Sequence, residues 1–257
     1  SMETDHFKLI STEDLIGVEV SGIVKNVAKN DTSHAFKVGD EVYGTVRGSL
    51  TPYCLVKASS ISHKPKTLSF AEAAALPTAY LTGFQGLRDH GKLKKDQSVL
   101  IVGASGGCGT AAIQLAKAFG AKTIVGVCSK KNIALVKSLG CTDTVDYKTE
   151  DFEKKYDVSS GFAGFDMVYD AASNSGAGEA YKEKAFKVLK PKTGLYVTLN
   201  GSGMMWTRCI IGWQESRVHL FMTNANTKDF QALANMVDKN QIKPVIASKT
   251  AFSETNV

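Results

Sequence analysis

Hydrophobic and polar positions follow two different rhythms along the chain, and the change comes near residue 78. From residue 98 onward, short unbroken apolar runs alternate with segments of helical spacing. SVLIVGA (98–104) is the first such run, and a continuous apolar strand is what burial on both faces of a parallel sheet requires. The helix after it places Cys108, Ala111, Ala112, Leu115, Ala116 and Phe119 on one face, with Gly120 positioned to stop it. TIVGVC (123–128), a helix over 132–140 and a short strand near 144–147 follow. FDMVYDA (165–171), a helix from about 178 to 190, GLYVTLN (194–200), RVHLFMT (217–223) and a helix over 228–240 complete the series. Strands and helices alternating at this spacing predict βαβ units, and hence an α/β fold with a Rossmann doubly wound parallel sheet.

Before residue 78 the segments VEVSGIVKNVA, DEVYGTV and YCLVKASSI are short, β-rich and punctuated by turns such as KVGDE and RGS. They predict an antiparallel β region. SFAEAAALP (69–77) reads as a helix ending at Pro77. The expected boundary falls near residue 78, between a β-rich part over 1–78 and the alternating part from 79 onward.

Composition narrows the classes. The chain has 257 residues, enough for one large or two modest domains, and 43% of them are hydrophobic without any run long enough to span a membrane. Basic residues outnumber acidic ones by 31 to 25, a net charge of +6, but they are scattered. The densest patches, KLKK and KPK, are too short to track a phosphate backbone, so no nucleic-acid partner is expected. Five cysteines, an odd number with no CxxC spacing, point to free thiols in a reducing compartment. The chain starts without a basic-then-apolar signal, so the expected location is cytoplasmic, or mitochondrial or plastid if a targeting peptide has been removed.

The chemistry centres on VGASGGCGTAAIQLAKAFGA (102–121). Gly103, Gly106, Gly107 and Gly109 stand between a buried strand and a helix. Residues without a Cβ let the backbone turn sharply and bring N–H groups against a pyrophosphate at the positive end of the helix. A tight strand–helix turn without ligand is the plainer alternative, and the strand before and helix after favour a dinucleotide. The end of the next strand selects which one. Where an NAD site carries Asp or Glu for the ribose 2′-hydroxyl, this chain has Ser129, Lys130 and Lys131. A hydroxyl and two ammonium groups suit a 2′-phosphate, so NADPH is the expected cofactor.

GVEVSG (17–22), FKVGDEVYG (36–44), SHKPKTLSFAEAAALP (62–77), GASGGCGTAAIQLAKAFGA and VKSLGCTDTVDYK (136–148) together resemble the medium-chain dehydrogenase/reductase superfamily. Within it the chain resembles the zinc-independent quinone oxidoreductase branch, and most of all the reticulon-interacting mitochondrial reductases and the chloroplast-envelope quinone oxidoreductase homologues. Zinc members of the superfamily carry G-H-E-x-x-G, whose His binds the metal. Here that position is Val18, which cannot be a ligand, so no metal is expected. The resemblance makes 1–78, with 243–257 returning to it, a partial GroES-like substrate domain, and 79–242 a Rossmann dinucleotide-binding domain. It also implies further β-structure before GVEVSG, including an N-P-x-D-like segment, and a final helix and strand beyond TAFSETNV.

Without a Lewis acid, the fitting substrates already hold an electrophilic carbon: quinones and α,β-unsaturated carbonyls. The resemblance implies that Thr82, Leu199 and Asn200 lie near the nicotinamide, and that Ser129, Lys130 and Tyr147 bind the adenosine phosphate end. Ser105, Gly106, Gly107, Cys108 and Gly109 would hold the pyrophosphate. Tyr53, Tyr80 and Tyr43 are the candidate proton donors, but each reads first as a packed aromatic with a solvated hydroxyl, and solvent suffices to protonate an enolate. Cys108 is either an activated thiol beside a helix N-terminus or a filler of a valine-sized space. RVHLFMT resembles the edge strand through which such reductases dimerise, so a homodimer is expected. GMMWTRCIIGW (203–213) is apolar enough to line a substrate cleft or a subunit interface. A short-chain dehydrogenase needs Tyr-x-x-x-Lys after the glycine loop, and the one such spacing, Tyr53–Lys57, precedes it. A non-catalytic NADPH-binding scaffold or sensor needs only the loop.

Overall fold

A computed structural model describes residues 16–28, 35–172, 178–213 and 215–251. β1 (Glu19–Ile23), β2 (Glu41–Thr45) and β3 (Ile61–His63) pair antiparallel in that order, as the turn-punctuated pattern predicted. One stretch departs from expectation. YCLVK (53–57) is not in a strand; Leu55 is 96% exposed and pairing begins only at Ile61. β propensity alone does not hold a segment extended without a partner strand.

α1 (Phe70–Ala74) is capped by Ser69, whose hydroxyl accepts from the Glu72 amide while the Glu72 carboxylate accepts from the Ser69 amide. It ends before Pro77. That proline, expected to close the helix, instead opens α2 (Pro77–Gln85), where the first position has no need of an N–H. A wide π turn over Gly86–His90 then leads toward the second sheet.

The remaining elements are β4 (Ser98–Val102), α3 (Gly107–Ala118), β5 (Thr123–Cys128), α4 (Ile133–Leu139), β6 (Asp143–Asp146), α5 (Phe152–Lys155), β7 (Met167–Asp170), α6 (Gly178–Val188), β8 (Leu195–Thr198), α7 (Gly203–Ile210), β9 (Val218–Leu220) and α8 (Thr227–Asp238). The strands form a six-stranded parallel sheet in the order β6-β5-β4-β7-β8-β9. This is the doubly wound sheet that the apolar runs predicted. The chain winds outward from β4 to β6 and then crosses back to lay β7 on the other side of β4. The crevice for a ligand therefore opens at the carboxyl ends of β4 and β7.

Alternation along each strand splits the core into two layers. Val99 and Ile101 of β4 face one side with α2, α3 and α8, while Leu100 and Val102 face the other. On α3, Ala111, Ala112, Leu115 and Ala116 are fully buried, and three alanines let that helix lie close on the sheet. Beyond α8, Lys243 is held by the chain before it: its carbonyl accepts from the Tyr80 hydroxyl at 2.6 Å, and its amide donates to Gln114 Oε1 at 2.8 Å.

Candidate functional site

The glycine loop leaves β4 through Gly103, whose φ of +73° lies in the left-handed region. A Cβ there would stand 3.0 Å from the Ala171 carbonyl and the Ala172 amide at the end of β7. Gly106, the N-cap of α3, donates to the Gly103 carbonyl at 3.0 Å and closes the turn. Gly109, one turn into α3, presses on the loop so closely that a Cβ would meet the Gly103 oxygen at 2.1 Å. The two central glycines differ. A Cβ on Gly106 would have one neighbour, the Gly103 oxygen at 3.4 Å, and one on Gly107 would meet Ala79 at 3.8 Å. Gly103 and Gly109 are required by packing, whereas Gly106 and Gly107 leave open the space over the helix end.

No side chain caps α3. Elsewhere Glu19 accepts from the Thr78 amide at the start of α2, and Ser202 and Asn226 cap α7 and α8. The α3 terminus thus presents the uncancelled positive end of its dipole, where an anion is stabilised.

The end of β5 lies beside this loop. The Ala104 amide donates to the Val127 carbonyl at 3.0 Å, and the Asn132 side-chain amide donates to Ser105 Oγ at 2.9 Å. Ser129 is buried, while Lys130 and Lys131 are exposed in the 3-10 turn that precedes α4. Among the described residues neither lysine has a carboxylate partner. Tyr147, just past β6, is 56% exposed.

On the other flank, Asp170 ends β7 at 1% exposure. Burial pushes its carboxyl above the ordinary range, against hydrogen bonds from the Tyr196 hydroxyl at 2.7 Å and the Ala172 amide at 3.0 Å. Asn200, after β8, donates its side-chain amide to the Ala172 carbonyl at 2.8 Å. Leu199 packs against the core beside it. Four strand ends, β5, β4, β7 and β8, are in this way linked by contacts through Asn132, Gly103, Ala172 and Asn200. Sequence reasoning missed Asn132 and Asp170. A carboxylate closing the apolar run FDMVYDA was the available signal for the second.

Thr82 is buried in the middle of α2. The candidate proton donors occupy three different settings. Tyr53 is 75% exposed. Tyr80 is buried, with its single hydroxyl proton given to the Lys243 carbonyl and its oxygen accepting from Gln114 Nε2 at 2.8 Å. Tyr43 donates to the Phe230 carbonyl, and burial raises its phenol far above its usual value. Of the two readings of Cys108, the filler of a valine-sized space fits better: burial, then the charge of Glu19, pushes that thiol upward.

The donor set fits a dinucleotide. Open space over two glycines, an uncapped helix end and two unpaired lysines at the next strand suit a diphosphate with a further phosphate. For a metal the donors are lacking: among the described residues no three of His, Cys, Asp and Glu converge, and Val18 offers no lone pair.

Residues 139–256 match the family model described as Zinc-binding dehydrogenase; the GVEVSG stretch lies outside that match. A 2-methylene-furan-3-one reductase of Solanum lycopersicum is 36% identical over 92% of this chain and 57% of its own length. The mitochondrial NAD(P)H oxidoreductase RTN4IP1 of Mus musculus is 32% identical over 93% of this chain and 65% of its own. The chain therefore spans less than two thirds of these relatives. The solved quinone oxidoreductase of Coxiella burnetii superposes with a TM-score of 0.69 at 27% identity, covering 88% of this chain and 68% of that one. With its doubly wound sheet, its glycine loop and these likenesses, the chain belongs to the medium-chain dehydrogenase/reductase superfamily.

Proposed function

We propose that this chain acts as an NADPH-dependent, zinc-independent oxidoreductase on quinones or α,β-unsaturated carbonyls. One observation carries the reading: Lys130 and Lys131 stand unpaired among the described residues at the end of β5, next to an open glycine loop on an uncapped helix. When bound, the nicotinamide supplies a hydride to an electrophilic carbon of the substrate. The chain's own residues bind and orient. The α3 terminus with Gly106 and Gly107 holds the diphosphate, and Ser129, Lys130, Lys131 and Tyr147 hold the 2′-phosphate end. Thr82, Leu199 and Asn200 border the nicotinamide. A carboxylate at position 130 or 131 would repel the extra phosphate, as it does in NAD sites by favouring a free hydroxyl.

The reduced substrate takes its proton from solvent. The Tyr80 hydroxyl donates its hydrogen bond to the Lys243 carbonyl, and the Tyr53 hydroxyl stands in water. The same reading divides the chain near residue 78, with the segment from 243 returning to the GroES-like part. It also has two copies meeting along β9, the outermost strand of the large sheet. All five cysteines are free, which suits the cytoplasm, a mitochondrion or a plastid. No helix of the described residues is long and apolar enough to cross a membrane.

The test is consumption of NADPH, followed by its absorbance, on adding benzoquinone or an alkenal. Consumption that saturates with acceptor is expected. Tight NADPH binding with no consumption of either acceptor would contradict the catalytic reading and leave a cofactor-binding protein.

A further inference from the structure

Asn132 stands at the N-cap of α4, where an asparagine ordinarily accepts from its own helix; its side chain makes no such bond. Instead its Nδ2 donates to Ser105 Oγ at 2.9 Å and, more weakly, to Ser129 Oγ at 3.4 Å. Ser105 belongs to the glycine loop and Ser129 to the end of β5. A primary amide nitrogen has two protons, and a serine hydroxyl has one proton and two lone pairs. With the amide nitrogen facing both oxygens, each serine receives a hydrogen bond and keeps its own proton for another acceptor.

We infer that Asn132 is a positioning residue that fixes Ser105 and Ser129 as hydrogen-bond donors toward a phosphate-bearing cofactor, and so contributes to selection of the 2′-phosphate. This rests on the NADPH reading above. The backbone holds the site without the side chain: the Asn132 amide donates to the Ser129 carbonyl at 2.9 Å, and the Ala104 amide to the Val127 carbonyl at 3.0 Å. Substitution at 132 thus changes the polarity of the site more than its shape. The charged groups beside it, Lys130 and Lys131, both favour an anion.

Asn132→Asp separates polarity from shape. A carboxylate has the same outline but only accepts, so it draws both serine protons inward and adds a negative charge beside the phosphate. Wild type, Asn132→Asp and Asn132→Ala are titrated with NADPH and with NADH, and their thermal midpoints are compared. Asn132→Asp should weaken NADPH by about tenfold and NADH by clearly less, since hydrogen bonds to an anion are the stronger kind. Asn132→Ala should shift the preference in the same direction by a smaller factor. An unchanged ratio of the two affinities in both variants, or an equal loss for both nucleotides, would overturn the inference while the NADPH reading stands. Wild-type protein binding neither nucleotide would overturn both.

Discussion

Gly109 and the carbonyl of Gly103 leave no room between them: a Cβ at 109 would stand 2.1 Å from that oxygen, closer than any real contact. A Cβ on Gly107, two residues away, would have its nearest neighbour, Ala79, at 3.8 Å. The same motif therefore contains glycines of two kinds. Gly109→Ala should destabilise the fold by about 2–4 kcal/mol, because backbone on both sides must shift. Gly107→Ala should fold normally and lose cofactor affinity, because its methyl fills the space over the helix end. Thermal unfolding and nucleotide titration of the two variants separate these effects. Equal behaviour in both measurements would contradict the division.

Lys130 provides the charge test. Lys130→Glu should weaken NADPH binding by about tenfold or more at low salt and leave NADH within a few fold, with the gap narrowing as salt is raised. An unchanged NADPH Michaelis constant would contradict the assignment of the β5 end.

Much of this site was legible before the structure. The apolar run of β4 and the glycines after it locate the loop, and βαβ spacing predicts the doubly wound sheet that carries it. What the sequence left hidden arises where separate strands meet. Asn132 and Ser105 are 27 residues apart and touch only because β5 lies beside β4. Asp170 acquires its setting from Tyr196 on the adjacent strand. Pro77 was read as an ending because its missing N–H breaks helices, but the same property suits a first turn. The choice between the two readings of Cys108 also waited on the fold, because burial is a property of the assembled layers and not of position at a helix end.

Tyr80 tests the proton source. Tyr80→Phe removes the bond to Lys243 and leaves Gln114 a partner short, so stability should fall by about 1 kcal/mol. Turnover should change by less than about threefold, since a general acid in the chemical step contributes far more. A loss of a hundredfold in kcat with an unchanged KM would make Tyr80 the donor.

Asp229 sets the acid limit of the fold. Burial raises its carboxyl, but hydrogen bonds from Arg88, Asn226 and Gln85 and the charge of Arg88 outweigh that and hold it at about 2. Its value in the unfolded chain is about 3.9. A depressed carboxyl contributes stability that is complete above the unfolded value and disappears as pH falls through the folded one. The thermal midpoint should therefore drop between about pH 4 and pH 2, and Asp229→Asn should flatten that segment of the profile. At neutral pH the same variant should be less stable by about 3 kcal/mol, because the 2.7 Å ion pair joining α8 to Arg88 is broken from its buried side. An acid profile identical to wild type would contradict the role given to this carboxylate.

The most direct measurement is a fluorescence titration of the wild-type chain with NADPH and with NADH under one set of salt and pH conditions. Saturable binding of NADPH, tighter than NADH by about tenfold or more, is the expected result, since on the proposed reading one extra phosphate would meet two lysines and a serine at the end of β5. Binding of neither nucleotide, or tighter binding of NADH, would contradict the assignment of the glycine loop and the β5 end as an NADPH site.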